Sequence, residues 1–495
     1  MKYISQLIIQ VALVLGLGPL FAFVVQQGGF AQFDSSIWQV LGFTLKQAAL
    51  STLISIIIGF FVARALARQN LRFNKYLLGV FALPMAMPSI VAVLGVVGLI
   101  GNGGLLPGLI SPYGLSGILM VHVFFNMPMA TRLFYQALQT APEEGFKLSA
   151  QLGLSDFTTF RLVEWPNIKS VLPQISAIIF LLCAASFVVV LTLGGPATTT
   201  LEVAIFQSLR MDFDPPRALS LSLLQVALCA VLIGSARAAL KHDIGFASLR
   251  STGQRFGATT LTATVFDFCA IAMATIIVLP VIALIIWRGS LALHFSPLSM
   301  RALLTSIGIG FGSGMVAMAL AWPLAKSKDS WSNLLSLAGL IVPPAVLATG
   351  WFLLLRGLAD ELAITLGFII ALNALIALPY AVAALSAAQK RLQNLAHLQK
   401  QLGLTGLSAW RVVEWPLMRV SAMQAFLLAT VLSLGDLTAI TLLGINGIVT
   451  LPTLLRSEMG HYRGADAEGT ALLLLILCGA LTYAATKIGD NNAHA

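Results

Sequence analysis

Charged residues are scarce in this chain. Asp, Glu, Lys and Arg make up 10% of its 495 residues, against roughly a quarter in soluble domains. Hydrophobic residues reach 58%, and the mean hydropathy is +0.91. This balance indicates an integral membrane protein. Only four cysteines are present, and all lie inside apolar runs, where a thiol behaves as a small hydrophobic group, so no disulfide framework is implied.

Sequence motifs of nucleotide-binding, metal-binding and catalytic sites are missing as well. No Gly-Lys dipeptide occurs, so the phosphate-binding sequence G-x-x-x-x-G-K-[ST] is absent. The histidines never pair with cysteines or carboxylates at ligand spacing, and no His/Asp/Glu cluster or Ser-His pair occurs inside the apolar runs. We therefore expect no catalytic residue, no metal site and no cofactor bound by this chain.

One sequence motif, called the phrase below, occurs twice, at 151–166 and again 250 positions later at 401–416. Gln-Leu-Gly-Leu at 151–154 and 401–404 is followed in each copy by Val-Glu-Trp-Pro, at 163–166 and 413–416. The residues of interest in the two copies are Gly153, Arg161, Val163, Glu164 and Pro166, and Gly403, Arg411, Val413, Glu414 and Pro416. An internal duplication in a chain this apolar is typical of membrane transporters. We predict two homologous halves, 1–245 and 262–495, joined by a cytoplasmic linker at 246–261.

Apolar runs recur along the whole chain, and about 20 apolar helical residues span a bilayer. The first half has runs near 4–25, 44–67, 76–100, 115–140, 171–193 and 218–240, and the second near 262–287, 302–325, 333–356, 362–388, 420–443 and 467–486. We predict an all-α membrane protein with about twelve transmembrane helices, six per half. The first run is long and no small-x-small cleavage site follows it, so we interpret it as an uncleaved helix.

The basic residues fall on one side of the predicted topology. Loops near 64–75, 147–169, 237–255, 326–328, 390–419 and 487 carry the lysines and arginines, and the opposite loops carry more acid. By the positive-inside rule the basic side is cytoplasmic, and so are both termini and both copies of the phrase. The net charge of +10 is explained by topology and anionic lipid, so nucleic-acid binding is not expected.

Each copy of the phrase lies in a long cytoplasmic loop, about 141–170 (loop 1) and 390–419 (loop 2). Phe146, Leu148 and Leu152 recur at helical spacing. Gly153 is placed to end that helix in the left-handed region, and Pro166 is expected to end the short helix that follows. The sequence predicts two rigid protrusions, and the alternative is an amphipathic connector lying in the lipid headgroups.

The loops resemble the coupling loops of type I binding-protein-dependent ABC importer permeases. Their pattern is Glu-Ala-Ala, three residues, Gly, nine residues, then an aliphatic residue, any residue, Leu-Pro. Here the glycines, valines and prolines match, Trp165 and Trp415 replace the leucine, and Lys147 or His397 replaces the glutamate. The resemblance implies a fused permease in the bacterial inner membrane, two copies of a separate ABC ATPase, and a periplasmic solute-binding protein.

Further segments look like those of thiamine importer permeases; they are 111–114, 122–132, 200–207, 212–215 and 459–463. The resemblance implies thiamine or its phosphate esters as the solute. Fused permeases for ferric iron share the architecture and remain an alternative. A twelve-helix secondary transporter is a second alternative, but such a transporter usually carries several buried charged residues, and this sequence offers essentially one, Asp436.

Four polar residues inside the apolar runs are candidates for the translocation path. Asp436 and Ser186 occupy matching places in the predicted fifth helices, and His122 and Asn373 each lie six residues before a proline in the fourth. We expect Asp436 to favour a cationic solute. The alternatives are a structural hydrogen-bond acceptor for Asp436 and interhelical hydrogen bonds for the other polar pair.

Two outer segments, 200–216 and 450–466, are the longest loops predicted on the periplasmic face. They carry charges of both signs, Glu202 among them, and we expect them to dock the binding protein.

Prolines at 84, 88, 343 and 344 fall in the predicted third helices. They are expected to kink or break those helices, as gate hinges or as static bends.

Overall fold

The computed structural model describes residues 34–69, 73–108, 110–239, 261–326, 342–355, 362–395, 399, 401–404, 406–444, 447–461 and 463–493. Over these residues the regular secondary structure is entirely helical. The first half contains α1 Ser35–Gln69, α2 Asn74–Ala86, α3 Ser89–Ile100, α4 Gly114–Gln139, α5 Glu143–Gln151, α6 Asp156–Thr159, α7 Trp165–Ala184, α8 Val188–Leu193, α9 Leu201–Arg210 and α10 Pro215–Ala239.

The second half begins with α11, ahead of α12, which is equivalent to α1. It contains α11 Leu261–Ala292, α12 Pro297–Lys326, α13 Pro344–Leu355, α14 Leu362–Asn394, α15 Gly406–Ala409, α16 Trp415–Leu434, α17 Thr438–Leu443, α18 Leu451–Gly460 and α19 Gly464–Ala493. Two π-helical turns, Phe160–Glu164 and Trp410–Glu414, precede α7 and α16.

The all-α membrane prediction is confirmed. Among the described residues, nine helices are long and apolar enough to cross a membrane, and the bent pair α2–α3 makes up to ten. The run at 4–25 and the linker up to 260 lie outside the described residues, as do residues 333–341 and 356 of the run at 333–356. The count of twelve therefore stays a prediction.

The predicted break in the third helix is present. The axes of α2 and α3 differ by 109°. Met87, just before Pro88, is extended at φ −90° and ψ 131°, because the proline ring disfavours helical backbone in the residue that precedes it. In the second half α13 begins at Pro344, where a proline costs no hydrogen bond.

The fifth helices were predicted as single spans over 171–193 and 420–443, and this is wrong. Each is two helices, α7 and α8 or α16 and α17, separated by three residues at 185–187 or 435–437. Hydropathy does not register such a break, because the residues on both sides of it are equally apolar.

The pseudo-symmetry extends to individual hydrogen bonds. The hydroxyl of Thr44 in α1 accepts the backbone N–H of Leu201 at 3.0 Å. In the second half Ser306 in α12 accepts the N–H of Leu451 at 2.8 Å. Both bonds satisfy a backbone donor in the first turn of a short helix, where it has no partner within the helix. They hold α9 and α18 in equivalent positions.

The two halves also pack into each other. One hydrophobic core contains Ile90 and Phe124 from the first half and Val281 from the second. The contact between α3 and α11 is close, since a Cβ on Gly95 would lie 2.7 Å from side-chain carbons of Val281 and Ile285. Interiors packed at this density respond even to one added methylene group.

We expect a bulky residue at Gly59 to destabilise the protein. A Cβ there would lie 2.7 Å from the Ala130 Cβ and 3.0 Å from the Met127 carbonyl oxygen, so α1 and α4 must separate. Gly59→Leu should cost about 1–3 kcal/mol and lower the melting temperature in detergent. Gly42→Leu is the control, because a Cβ at this position of the same helix would have no neighbouring atom within 4 Å. Equal melting temperatures for the two variants would contradict the close packing of α1 against α4 at Gly59.

Candidate functional site

The glycine stop in each loop is confirmed. Gly153 has φ +60° and Gly403 has φ +66°, a conformation that side chains with a Cβ rarely adopt. The N–H of Leu154 donates to the Ser149 carbonyl at 3.0 Å and that of Gly153 to Ala150 at 3.2 Å. This is the Schellman end of a helix, and it sets a fixed direction for the chain that leaves α5.

The proline of each phrase does not end a helix, contrary to the prediction. Residues 156–184 form one continuous helix, in which Pro166 lies in the first turn of α7. Proline is tolerated there, inside a continuous helix, because the π turn directly before it already interrupts the regular pairing of residues four apart. The π turn just before it pairs residues five apart, and the N–H of Trp165 donates to the Phe160 carbonyl. Trp415 bonds to Trp410 in the same way.

A buried ion pair holds loop 1 to the first half. Glu164 is 1% exposed, and one of its oxygens accepts a hydrogen bond from Arg64 Nε at 2.8 Å. Loop 2 repeats the arrangement, with 2.5 Å between Lys326 Nζ and Glu414. Arg64 and Lys326 each stand 29 residues after the start of their helix, α1 or α12. The repeated glutamates therefore anchor the loops to equivalent helices.

Loop 1 is tied to the second half as well. Arg68 lies 3.1 Å from the Asp156 carboxylate in α6 and 3.5 Å from that of Asp267 in α11. Gln69 Nε2 donates to Asp267 at 2.8 Å. From the sequence alone, Arg64 and Arg68 contribute only to the positive charge of the cytoplasmic loops. Their separation in sequence from Asp156 and Asp267 does not predict these ion pairs.

Both loops expose apolar side chains. Arg161 and Arg411 are also exposed, whereas Val163 and Val413 are partly buried. Leu152 and Leu402 are each 63% exposed, and the exposed apolar residues of the two loops are Leu148, Leu152, Phe157, Leu162 and Trp165, and Leu402, Trp410, Val412, Trp415 and Leu417. An apolar patch repeated on two protruding loops is typical of a protein interface.

The family's glutamate position is occupied by Lys147 in loop 1. Its amine bonds Glu143 at 2.8 Å, and this hydrogen bond raises the pKa of Lys147. The second-half equivalent, His397, lies outside the described residues. In loop 1 the departure from the family pattern is therefore accommodated by a pair within α5.

His122 joins α1 and α4 to the break between α7 and α8, and Asn373 joins α12, α14 and α16. The His122 ring lies 3.0 Å from the Ser51 hydroxyl and 2.9 Å from that of Ser186; these three residues form the first polar cluster. In the second polar cluster the Asn373 amide donates to Ser433 at 2.8 Å, and Ser433 lies 3.1 Å from Ser313. Hydrogen bonds of this kind connect transmembrane helices.

Asp436 lies in the break between α16 and α17 rather than inside a helix. Its two oxygens accept the backbone N–H groups of Thr438 and Ala439, each at 3.0 Å. The carboxylate thus caps α17, where helix geometry leaves N–H groups free and the dipole favours negative charge. Ser186 occupies the matching break and bonds His122 instead.

The two outer segments predicted as loops are helices, α9 and α18, and Glu202 is not on their rim. Its side chain is fully buried, lies 3.4 Å from the Gln225 amide, and faces the backbone N–H of Ala345 in α13. The equivalent residue of α18 is Pro452. The charge pattern of the sequence suggested an exposed rim, but the fold turns this carboxyl group toward the contact between the halves.

Comparison with known proteins places the chain. No protein-family model matches it. It is 38% identical to the thiamine transport system permease protein ThiP of Brucella abortus (strain 2308), over 97% of this chain and 93% of that one. Identity to ThiP of Escherichia coli (strain K12) is 37%, over 93% and 90%. The chain belongs to the ThiP family.

ThiP membership confirms the family resemblance found in the sequence and makes the chain a multi-pass membrane permease. A third relative bears on the duplication. The probable sulfate transport system permease protein cysT of Prototheca wickerhamii is 28% identical over 40% of this chain but 82% of its own. The aligned segment is thus less than half of this chain but most of the length of the sulfate permease.

We expect the two anchoring glutamates to differ in strength. Glu164→Gln breaks a pair in which the carboxylate is 1% exposed, whereas Glu414 is 24% exposed. The first change should cost up to about 3 kcal/mol and the second under about 1 kcal/mol. Melting temperatures of the two variants in detergent measure the difference, and an equal or larger loss for Glu414→Gln would contradict it.

Proposed function

We propose that this chain is the membrane permease of an ABC importer for thiamine. Two copies of a separate ATPase dock on loops 1 and 2 and hydrolyse the ATP, and a periplasmic binding protein delivers the solute. The chain lies in the bacterial inner membrane with both termini in the cytoplasm. The observation that carries the proposal is the pair of loops, matched in sequence, backbone geometry and anchoring.

Two identical ATPase subunits need two equivalent receptors, and the loops supply them. Each loop has a positive-φ glycine, a π turn and a glutamate bonded to a basic residue of the preceding long helix. Each also exposes a leucine directly before the glycine, to the same extent. A secondary transporter has no use for such duplicated cytoplasmic projections. The shared geometry therefore favours an ATP-driven importer.

Thiamine is inferred from the relatives. The ThiP proteins of Brucella abortus and Escherichia coli are named for thiamine transport, and the chain covers at least 90% of each. The relatives named above give no support to ferric iron. Thiamine carries a cationic thiazolium ring, which suits a path that includes the carboxylate of Asp436.

The continuous helices give a route for coupling. When ATP draws the two ATPase copies together, loops 1 and 2 move with them, and the helix from 156 to 184 carries the movement to the break at Ser186. Helix α16 carries it to the break at Asp436. There the polar clusters around His122 and Asn373 exchange partners, and Asp436 leaves the α17 backbone to meet the solute.

Uptake of labelled thiamine tests the function. Cells that lack their thiamine permease but retain the binding protein and ATPase should regain nanomolar uptake when this chain is expressed. Uptake should disappear when the ATPase is deleted. Uptake that persists without the ATPase would show a secondary transporter, and ATPase-dependent uptake of ferric iron in place of thiamine would overturn the solute.

Docking of the ATPase is tested at the exposed leucines. Leu152→Asp with Leu402→Asp should abolish co-purification of the ATPase, because a carboxylate in an apolar contact must be desolvated. The fold should persist, since both side chains are exposed. Leu105→Asp, at a residue 50% exposed outside both loops, is the control. Normal ATPase recovery with the double variant would exclude these loops as the receptor.

A further inference from the structure

Helix α17 of the second half is capped at both ends, and the two caps come from different halves. At its N-terminus Asp436 accepts the backbone N–H groups of Thr438 and Ala439, each at 3.0 Å. At its C-terminus Arg210 of the first half donates from Nη2 to the carbonyl oxygen of Gly444 at 3.1 Å. A carboxylate and a guanidinium in these places both suit the helix dipole. The first half therefore supplies the cation that caps α17.

Arg210 is the last residue of α9, and its guanidinium makes both its hydrogen bond and its aromatic contact with the second half. Besides Gly444, it lies over the ring of Phe352 in α13, with 5.1 Å between Arg210 Cζ and the ring centroid. The side chain is partly buried, and no carboxylate lies at ion-pair distance from it among the residues that the structure describes. Cation–π contacts and hydrogen bonds are stronger when they are partly shielded from water. Arg210 thus links α9 to two helices of the other half.

This link exists in one direction only. At the repeat offset of 250, Arg210 corresponds to Gly460, which has no side chain, so α18 cannot make the equivalent contact with the first half. The counterpart of α17 is α8, and the turn after it is closed within the first half, where the Thr198 hydroxyl accepts the N–H of Gly195 at 2.7 Å. The outer ends of the two halves are therefore connected by a single arginine and not by a symmetric pair.

The position of α17 depends strongly on this contact. The helix is only six residues long, and a helix this short is not stable by itself. Its caps and its packing therefore decide where it lies. Asp436 ties its N-terminus to the break in its own half, whereas Arg210 ties its C-terminus to α9 on the outer side. The halves cannot separate at the outer end of α17 while Arg210 is bonded to Gly444.

We propose that Arg210 is a positioning residue for transport, which keeps the outer ends of the two halves together at α17 until the binding protein delivers the solute. Release of Gly444 by Arg210 then lets α17 move away from α9 and opens the path from the outer side. The proposal rests on the function proposed above and adds to it the residue that holds the outer side closed.

Loss of Arg210 is expected to increase one activity rather than decrease all of them. In an ATP-driven importer, opening of the outer side and closure of the ATPase pair belong to one conformational equilibrium, and such coupling is reciprocal. A change that favours outer opening therefore favours ATP hydrolysis even without the binding protein. Replacement of a residue with only a structural role would lower activity and would not produce this increase.

The test uses the complete transporter, with its ATPase, in vesicles of phosphatidylcholine. ATP hydrolysis is measured without the binding protein and with thiamine-loaded binding protein. Arg210→Gln should raise the rate without the binding protein about tenfold, as expected for the loss of a charge-assisted hydrogen bond, and leave the rate with the binding protein unchanged. Arg210→Lys, which keeps the charge and a donor, should give a smaller increase.

Arg301→Gln is the matched control. Arg301 in α12 donates to the carbonyl oxygen of Gly447 at 3.3 Å, in the same stretch that follows α17, but from within the second half. Its replacement removes a bond between an arginine and a backbone carbonyl without loosening the contact between the halves. Both rates of ATP hydrolysis should therefore stay unchanged.

Each outcome decides the proposal. If Arg210→Gln leaves the rate without the binding protein unchanged or lowers it, or if Arg301→Gln raises it equally, the role of Arg210 is wrong. If the unmodified transporter does not import thiamine, the proposed function itself fails. Should Arg210→Gln not fold, Phe352→Leu replaces it and must raise the rate without the binding protein severalfold, because it removes the cation–π contact.

Discussion

The buried ion pair between Glu164 and Arg64 is the contact on which the geometry of loop 1 depends. A carboxylate that is 1% exposed is stable only with a cation at hydrogen-bond distance. The pair fixes the π turn against α1, and the positive-φ glycine then sets where α5 points. Glu414 and Lys326 hold loop 2 to the equivalent helix α12 through a more exposed and weaker pair. On the function proposed above, these anchors let the loops transmit the motion of an ATPase to the membrane helices.

Duplication explains both what the halves share and where they differ. The anchoring glutamates, the broken fifth helices and the hydroxyl that accepts the N–H of Leu201 or Leu451 are common to both. The halves diverge within the equivalent helices α9 and α18, where Glu202 corresponds to Pro452 and Phe206 to Arg456. The features common to both halves fix the duplicated fold and the positions of the two loops.

Much of the fold was predictable, because hydropathy, proline and glycine act locally. The apolar runs predicted the membrane helices. Pro88 predicted the bend at the third helix, and Gly153 and Gly403 predicted the helix ends. The breaks at Ser186 and Asp436 were not predictable, since a three-residue interruption leaves hydropathy unchanged. Pro166 was misread because its position in the first turn depends on a π turn that no sequence pattern marks. The burial of Glu202 and the partners of Arg64 depend on tertiary packing.

The central claim is that loops 1 and 2 move together when ATP binds. Spin labels at Gln151→Cys and Gln401→Cys, both exposed, measure the distance between the loops once the four native cysteines have been replaced. In the complete transporter the account predicts a shorter distance with ATP and a return to the original distance after hydrolysis. An unchanged distance in a transporter that hydrolyses ATP and imports thiamine would contradict it.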